Sequence, residues 1–172
     1  MTSTPAGPPT ARATGPFDPP GVEWQGVSPR LVRARLIPAS VVLGVPVVAG
    51  AVLTALVSPW FWLLVGVPAA LLLWTVVLVP RQVRAIGYAE RDDDLLIRKG
   101  ILFRSLVVVP YGRMQYVDVE AGPLDRNLGI ASVQLHTASA STDADIPGLV
   151  PDEAERLRDR LSSRGEARLA GL

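Results

Sequence analysis

Two uninterrupted apolar runs divide the chain. The first, residues 36–57, reads LIPASVVLGVPVVAGAVLTALV, and the second, residues 60–80, reads WFWLLVGVPAALLLWTVVLVP. Crossing the hydrocarbon core of a bilayer takes about 20 predominantly apolar residues, and each run supplies that length. In hydrocarbon every backbone group must be satisfied within its own segment, which makes both runs helices despite their valine content. A helix in a soluble core is normally amphipathic, and neither run has a polar stripe. The pattern therefore predicts transmembrane helices over residues 36–57 and 60–80. Ser58 and Pro59 leave room only for a tight loop, so the helices form an antiparallel hairpin. Trp60, Phe61 and Trp62 sit at its tip, where aromatic rings favour the headgroup region. Pro38 falls in the first turn of the first helix, whereas Pro46 and Pro68 are interior and predict kinks. Gly44, Gly50, Ala51 and Ala55 are small enough for close helix packing.

Beyond Val83 the pattern changes to short runs separated by turn residues, which predicts strands near residues 84–90, 95–99, 101–109, 115–120, 132–137 and 144–147. Arg91-Asp92-Asp93-Asp94 is a polar turn, and Lys99-Gly100 a tight hairpin turn. Val117 and Val119 alternate with Tyr116, Asp118 and Glu120, so one face of that strand is buried; Val133 and Leu135 alternate similarly with Gln134 and His136. Residues Pro123–Leu128 form a turn or short helix bracketed by Gly122 and Gly129. From Pro151 to Arg164 the chain predicts a helix. Pro suits its first position, Asp152 and Glu153 suit its N-terminal dipole, and Ala154, Leu157 and Leu161 form an apolar stripe. Gly165 is expected to stop it, and residues 166–172 to fray.

A length of 172 residues allows one or two domains. All 17 basic and 16 acidic residues lie outside 36–80, so the apolar and charged parts of the chain are segregated. Residues 1–21, rich in Pro, Gly, Thr and Ala, cannot bury enough apolar surface to offset their ordering entropy and are expected to be a disordered tail. A signal peptide needs an apolar core soon after a basic start, and the first apolar run begins only at Leu36. Residues 22–35 form a juxtamembrane segment in which Trp24 and Arg30, Arg33 and Arg35 suit a membrane interface. Arg81 and Arg84 follow the second span, and nothing charged lies between the spans. Positive residues favour the cytoplasmic side, so both termini are expected in the cytoplasm, with the protein multi-pass in the cell membrane.

Charge and composition also narrow the chemistry. A net charge of +1 offers no global basic field for nucleic acid. Cysteine is absent and there is one histidine, so neither a thiolate site nor a multi-histidine metal site is expected. His136 has Ser132, Thr137 and Ser139 nearby in sequence, but the spacing supplies neither a positioned nucleophile nor an orienting acid. Asp92, Asp93 and Asp94 lack the alternate ligands, central Gly and distant Glu of a calcium loop and read as a solvated turn. Gly122 and Gly129 match no phosphate-binding fingerprint. No catalytic residue, metal or cofactor is expected. Arg30, Arg33, Arg35, Arg81 and Arg84 are the candidate lipid contacts, since a cation near an anionic leaflet contributes about 1 kcal/mol.

The residues Arg98–Arg104 (RKGILFR), Val109–Val119 (VPYGRMQYVDV), Gly122–Val133 (GPLDRNLGIASV) and His136–Ala138 (HTA), together with the order basic flank, two spans, β-rich unit, resemble the bacterial PH-like (pleckstrin-homology-like) membrane proteins of the YdbS-like type. The resemblance covers residues 24–164. It implies a PH-like fold, with two near-orthogonal antiparallel sheets capped by a C-terminal helix, for the domain over residues 83–165 that the charge pattern places in the cytoplasm. It supplies no activity. Phosphoinositide-binding relatives in eukaryotes use a basic loop between the first two strands, whereas Arg91-Asp92-Asp93-Asp94 is net acidic and would repel a phosphorylated headgroup. The expectation is a non-enzymatic, membrane-tethered interaction or scaffold module that contacts the bilayer and either a membrane-protein partner or a second copy. Its candidate surface comprises Tyr111, Arg113, Tyr116, Pro123, Leu124, Arg126, Gln134 and His136. An anionic-lipid sensor or membrane-stress protein is the alternative, and an accessory subunit of an export or transport complex a remoter one.

Overall fold

The computed structural model describes residues 19, 21–138 and 143–171, without the side chains of Pro59 and of residues 169–171. The tail expected over residues 1–21 lies almost wholly outside them, as does Ser139. The chain forms a helical hairpin, α1 (Arg30–Leu56) and α2 (Trp62–Arg84), joined through a single 3-10 turn at Pro59–Phe61. Among the described residues there are also seven strands and two further helices: β1 (Gln25–Gly26), β2 (Gly87–Glu90), β3 (Asp94–Lys99), β4 (Ser105–Pro110), β5 (Met114–Glu120), α3 (Pro123–Leu128), β6 (Ala131–Thr137), β7 (Ala144–Leu149) and α4 (Pro151–Gly171). The strands make two antiparallel sheets, ordered β1-β2-β3-β4 and β5-β6-β7.

Within the hairpin, the most apolar window of each long helix is only 6% buried. Leu56, Trp60, Leu63, Leu73 and Trp74 stand open to their surroundings, which suits lipid and not a protein core. Of the four small residues expected to permit close packing, Gly50 does so: a Cβ there would lie 3.0 Å from the backbone of Leu64. The hydroxyls of Thr54 and Thr75 donate back to the carbonyls of Gly50 (2.8 Å) and Leu71 (2.7 Å), so neither is left unsatisfied in an apolar setting.

Both helices run past the apolar segments. α1 begins at Arg30 and α2 continues through Pro80 to Arg84, so the bounds 36–57 and 60–80 describe the uncharged parts of longer helices. Pro38 is accordingly interior and not in the first turn. The extensions are helical because they have something to pack on, as set out below.

The head's core lies between the sheets and α4. Leu95, Ile97, Val109, Val133, Leu135 and Ile146 face the apolar stripe Ala154, Leu157 and Leu161, all at 1% exposure or less. That stripe is the one the sequence predicts. The helix, however, does not stop at Gly165. Gly165 is buried beside the Tyr111 carbonyl, where a Cβ would sit 3.7 Å from the oxygen, and α4 runs on to Gly171 with Arg168 paired to Asp93. The helix thus covers residues 166–171 of the stretch expected to fray, and Leu172 lies outside the described residues.

Two other boundaries differ. Residues 101–104, expected in a strand, belong to a loop, because Lys99 pairs with Ser105 and the ladder resumes only there. Residues 25–26, expected in a polar juxtamembrane segment, add strand β1 to the edge of β2, pairing Gln25 with Tyr88 and Gly26 with Gly87. Edge pairing of this kind is a backbone contact and leaves no side-chain period to read.

Candidate membrane-proximal site

The charged end of the hairpin is built into the head. Ser28 donates its N–H to the Gly148 carbonyl at 2.8 Å. Leu31, 6% exposed, lies directly over Gly148: a Cβ on that glycine would fall 2.8 Å from Leu31 Cβ. Gly148 also has φ of +74°, a left-handed conformation that costs glycine least. The conformation arises at a bulge. Between the pairs Ala131–Leu149 and Val133–Ile146, β7 carries one more residue than β6, at the Pro147-Gly148 step. Leu31 and Ala34 of α1 join Val79, Val83 and Ile86 around α2 and Ile130 before β6 in a buried cluster separate from the head's main core. This joint couples the attitude of the head to that of the spans.

The expected lipid-contacting arginines surround the joint in different settings. Arg33 and Arg84, both exposed, line one cleft of about 570 Å³ floored by Val32, Pro80 and Val83. Arg35 lines a second cleft, of about 390 Å³, with Gln82 and the β3–β4 loop. Arg81 is exposed at the end of α2. Arg30 turns instead toward the head: its Nη1 donates to the carbonyls of Leu128 and Gly129, each at 3.4 Å, and so caps the C-terminus of α3. Trp24, expected at the membrane interface, lies on the head with the Arg98 guanidinium 4.3 Å above its ring.

The candidate interaction surface separates into a buried part and an open part. Tyr111 is wholly buried and cannot offer a surface. Its hydroxyl donates to the Arg91 carbonyl (3.0 Å) and accepts from Arg164 Nη1 (2.8 Å). The tyrosine follows a valine run and a proline and precedes Gly112 and Arg113, and no periodicity marks it as inward. The other residues stay accessible. A bulge between Met114 and Tyr116 places Tyr116 opposite His136, and the two rings stack with centroids 4.3 Å apart and planes 18° apart. His136 Nδ1 lies 3.3 Å from Asp143 Oδ2, and Asp143 Oδ1 accepts the Thr137 N–H. Gln134 donates to Glu120 Oε2 at 2.6 Å. Arg113 and Arg126 are exposed, as is Pro123 on α3, with Leu124 half-buried. His136 thus has an aromatic and a carboxylate partner, while Ser132 sits at the other end of β6 opposite Glu120.

The acidic turn is tied internally. Asp94 accepts from Arg91 Nε (2.6 Å) and Nη2 (2.5 Å), and Asp93 pairs with Arg168. Behind it Glu90, with a side chain 10% exposed, faces Arg160 at 2.9 Å and Arg164 at 3.6 Å. Neither contact meets hydrogen-bond geometry, so the attraction is Coulombic. Tyr88 donates to Glu153 Oε1 at 3.1 Å. Burial pushes the Tyr88 hydroxyl well above the ordinary tyrosine range, reinforced by the charge and hydrogen bond of Glu153. Burial also raises Tyr111, against the opposing pull of Arg164.

Both phenols hold their protons more tightly in the folded chain than in the unfolded one. Their contribution to stability is therefore complete below the unfolded value of about 10 and is lost as pH rises beyond it. Melting temperature of the full chain in detergent should fall between about pH 9.5 and 11.5, and Tyr88→Phe should flatten that fall. An unchanged slope in the variant would show that Tyr88 is not the titrating group.

A family profile described as "Bacterial PH domain" matches residues 32–165. The chain is 36% identical over 89 residues to the UPF0699 transmembrane protein YdbS of Bacillus subtilis (strain 168). That alignment takes in 51% of this chain and 55% of the relative, so the chain spans about half the length of the protein it matches. No solved structure matches it.

Proposed function

Since the chain belongs to the bacterial PH domain family, we propose that it is a non-enzymatic, membrane-tethered interaction module of a bacterial inner membrane, with both termini in the cytoplasm. The observation that carries this reading is the joint. Ser28, Arg30 and Leu31, upstream of the apolar run that starts at Leu36, are packed or hydrogen-bonded to the head at Gly148, Leu128 and Gly129. A head attached only as a tether would need no such contacts. A head seated on its spans presents one fixed surface to other membrane proteins, and confinement to the leaflet raises its effective concentration toward them. The open face with Arg113, Tyr116, Gln134 and His136 supplies an aromatic, cationic and hydrogen-bonding patch of the kind enriched at interface centres.

Crosslinking mass spectrometry in native membranes tests the module. Wild-type chain should give crosslinks to one membrane protein or to a second copy. The double variant Arg113→Glu with Tyr116→Ala should lose them about tenfold, since a central interface side chain is worth roughly 1–2 kcal/mol or more. A chain that remains monomeric and uncrosslinked sinks the reading. Orientation is tested in the same cysteine-free chain: Asp92→Cys should react with a membrane-impermeant maleimide in inverted vesicles and not in intact cells.

The cleft between Arg33 and Arg84 favours a second reading, recognition of anionic lipid. Two guanidiniums at the level of the headgroups contribute about 1 kcal/mol each. Phosphatidylglycerol should then remain bound through purification, with retention falling when Arg33→Gln and Arg84→Gln are combined. Equal retention of a neutral lipid by wild type and variant excludes it.

A further inference from the structure

The loop between β3 and β4 exposes the most apolar surface of the head. Leu102 is 79% exposed and Phe103 is 91% exposed. Single exposed apolar residues are ordinary, but adjacent leucine and phenylalanine side chains at a loop tip are not. The tip is held in shape. Gly100 has φ of +91°, and a Cβ there would meet the Phe103 carbonyl oxygen at 1.9 Å, so the loop curls back over a residue that must lack a side chain. Lys99, at its base, is held by Asp145 of the other sheet.

Position gives the exposure its meaning. Ile101, Leu102 and Phe103 share one cleft with Arg35 of α1 and Gln82 of α2. Arg35 immediately precedes the apolar run that starts at Leu36, and Gln82 follows the one that ends at Pro80. At 1.5 Å of rise per residue, both helix positions lie within about 3 Å, along the axis, of the point where the hairpin enters hydrocarbon. The loop therefore sits beside the spans at the membrane boundary, flanked by Arg35 and the exposed Arg104.

We propose that the β3–β4 loop is a third membrane contact: Leu102 and Phe103 enter the leaflet beside the hairpin while Arg35 and Arg104 remain among the lipid phosphates. The occupant of this apolar tip is the bilayer, because the surface is continuous with the lipid-facing hairpin and its flanking charges complement an anionic leaflet. Together with the joint, it fixes the head at two points instead of one, which stops rotation about the hairpin. The inference does not depend on which side of the membrane the head occupies or on whether the module has a partner.

The test uses the full cysteine-free chain reconstituted in vesicles of phosphatidylcholine and phosphatidylglycerol. An environment-sensitive fluorophore is attached at Phe103→Cys and, separately, at Leu102→Cys. Asp92→Cys is the reference. It lies at the opposite end of β3, about 20 Å away over six residues. Nitroxide-labelled lipid should quench the dyes at 102 and 103 several-fold more than the dye at 92, and aqueous iodide should show the reverse order. Equal iodide quenching at all three positions overturns the proposal. So does shielding of 102 and 103 that occurs in native membranes without quenching by nitroxide lipid, since a protein would then cover the tip. Loss of crosslinks in the Arg113 and Tyr116 double variant would leave these quenching results unchanged, so the two readings fail separately.

Discussion

Replacing Leu31 by alanine in the full chain should weaken the joint by about 2–5 kcal/mol, the range for removing a buried leucine side chain, while the head's main core keeps its stability. Leu31 belongs to the buried cluster formed with Ala34, Val79, Val83, Ile86 and Ile130 and not to the cluster packed around α4. Alanine is also the best helix former, so α1 itself is not penalised. The measurement is hydrogen exchange in nanodiscs at the Ser28 amide, which donates to Gly148. Its protection should drop at least thirtyfold, the equivalent of about 2 kcal/mol, while amides of β6 keep theirs. Loss of protection throughout the head would show that joint and core are one cooperative unit. Unchanged protection at Ser28 would show that the joint carries no appreciable energy.

Leu157→Ala should act in the opposite place, with a cost of the same size, about 2–5 kcal/mol. Leu157 is completely buried at the centre of the stripe by which α4 closes the two sheets. Its neighbours Ala154 and Leu161 are equally enclosed. For a unit of this size a loss of 2 kcal/mol lowers the melting temperature by about 8 °C or more. Calorimetry of the full chain in detergent should show that shift in the head's transition. A shift under about 2 °C would mean that α4 is replaceable as a cover for the sheets.

The two variants together separate what the linear pattern carried from what it did not. The stripe Ala154, Leu157 and Leu161 is legible because helical spacing alone places these residues on one face. The hairpin is legible for a simpler reason: the cost of charge in hydrocarbon leaves a segment with none, and that segregation needs no tertiary information. The alternation in β5 and β6 marks the inward faces that Val117, Val133 and Leu135 occupy. Gly122 and Gly129 flank α3 as their positions suggest, with Gly129 in the left-handed region.

Other features have no local signature. Leu31 lies among arginines and reads as part of a polar flank, yet it is buried because Gly148, far along the chain, leaves space over it. Tyr111 reads as a surface aromatic and is buried because Arg91 and Arg164 satisfy its hydroxyl. Trp24 reads as an interface anchor and lies beneath Arg98. Gly165 reads as a helix stop, but it is buried beside the Tyr111 carbonyl and the helix continues past it. Residues 101–104 read as strand because they are apolar and precede a valine run; the register of β3 on β4 excludes them.

The sequence by itself determined the partition of the chain between lipid and water, the periodicity of its sheets and the apolar face of its last helix, because transfer free energy and repeat geometry act on neighbouring residues. Only the tertiary structure decided that the spans are seated in the head, that one expected surface tyrosine is core, and that the Leu102-Phe103 tip shares a cleft with Arg35 and Gln82 at the charged end of the hairpin. Each of these rests on contacts between residues distant in sequence, whose energy exists only once both partners are in place.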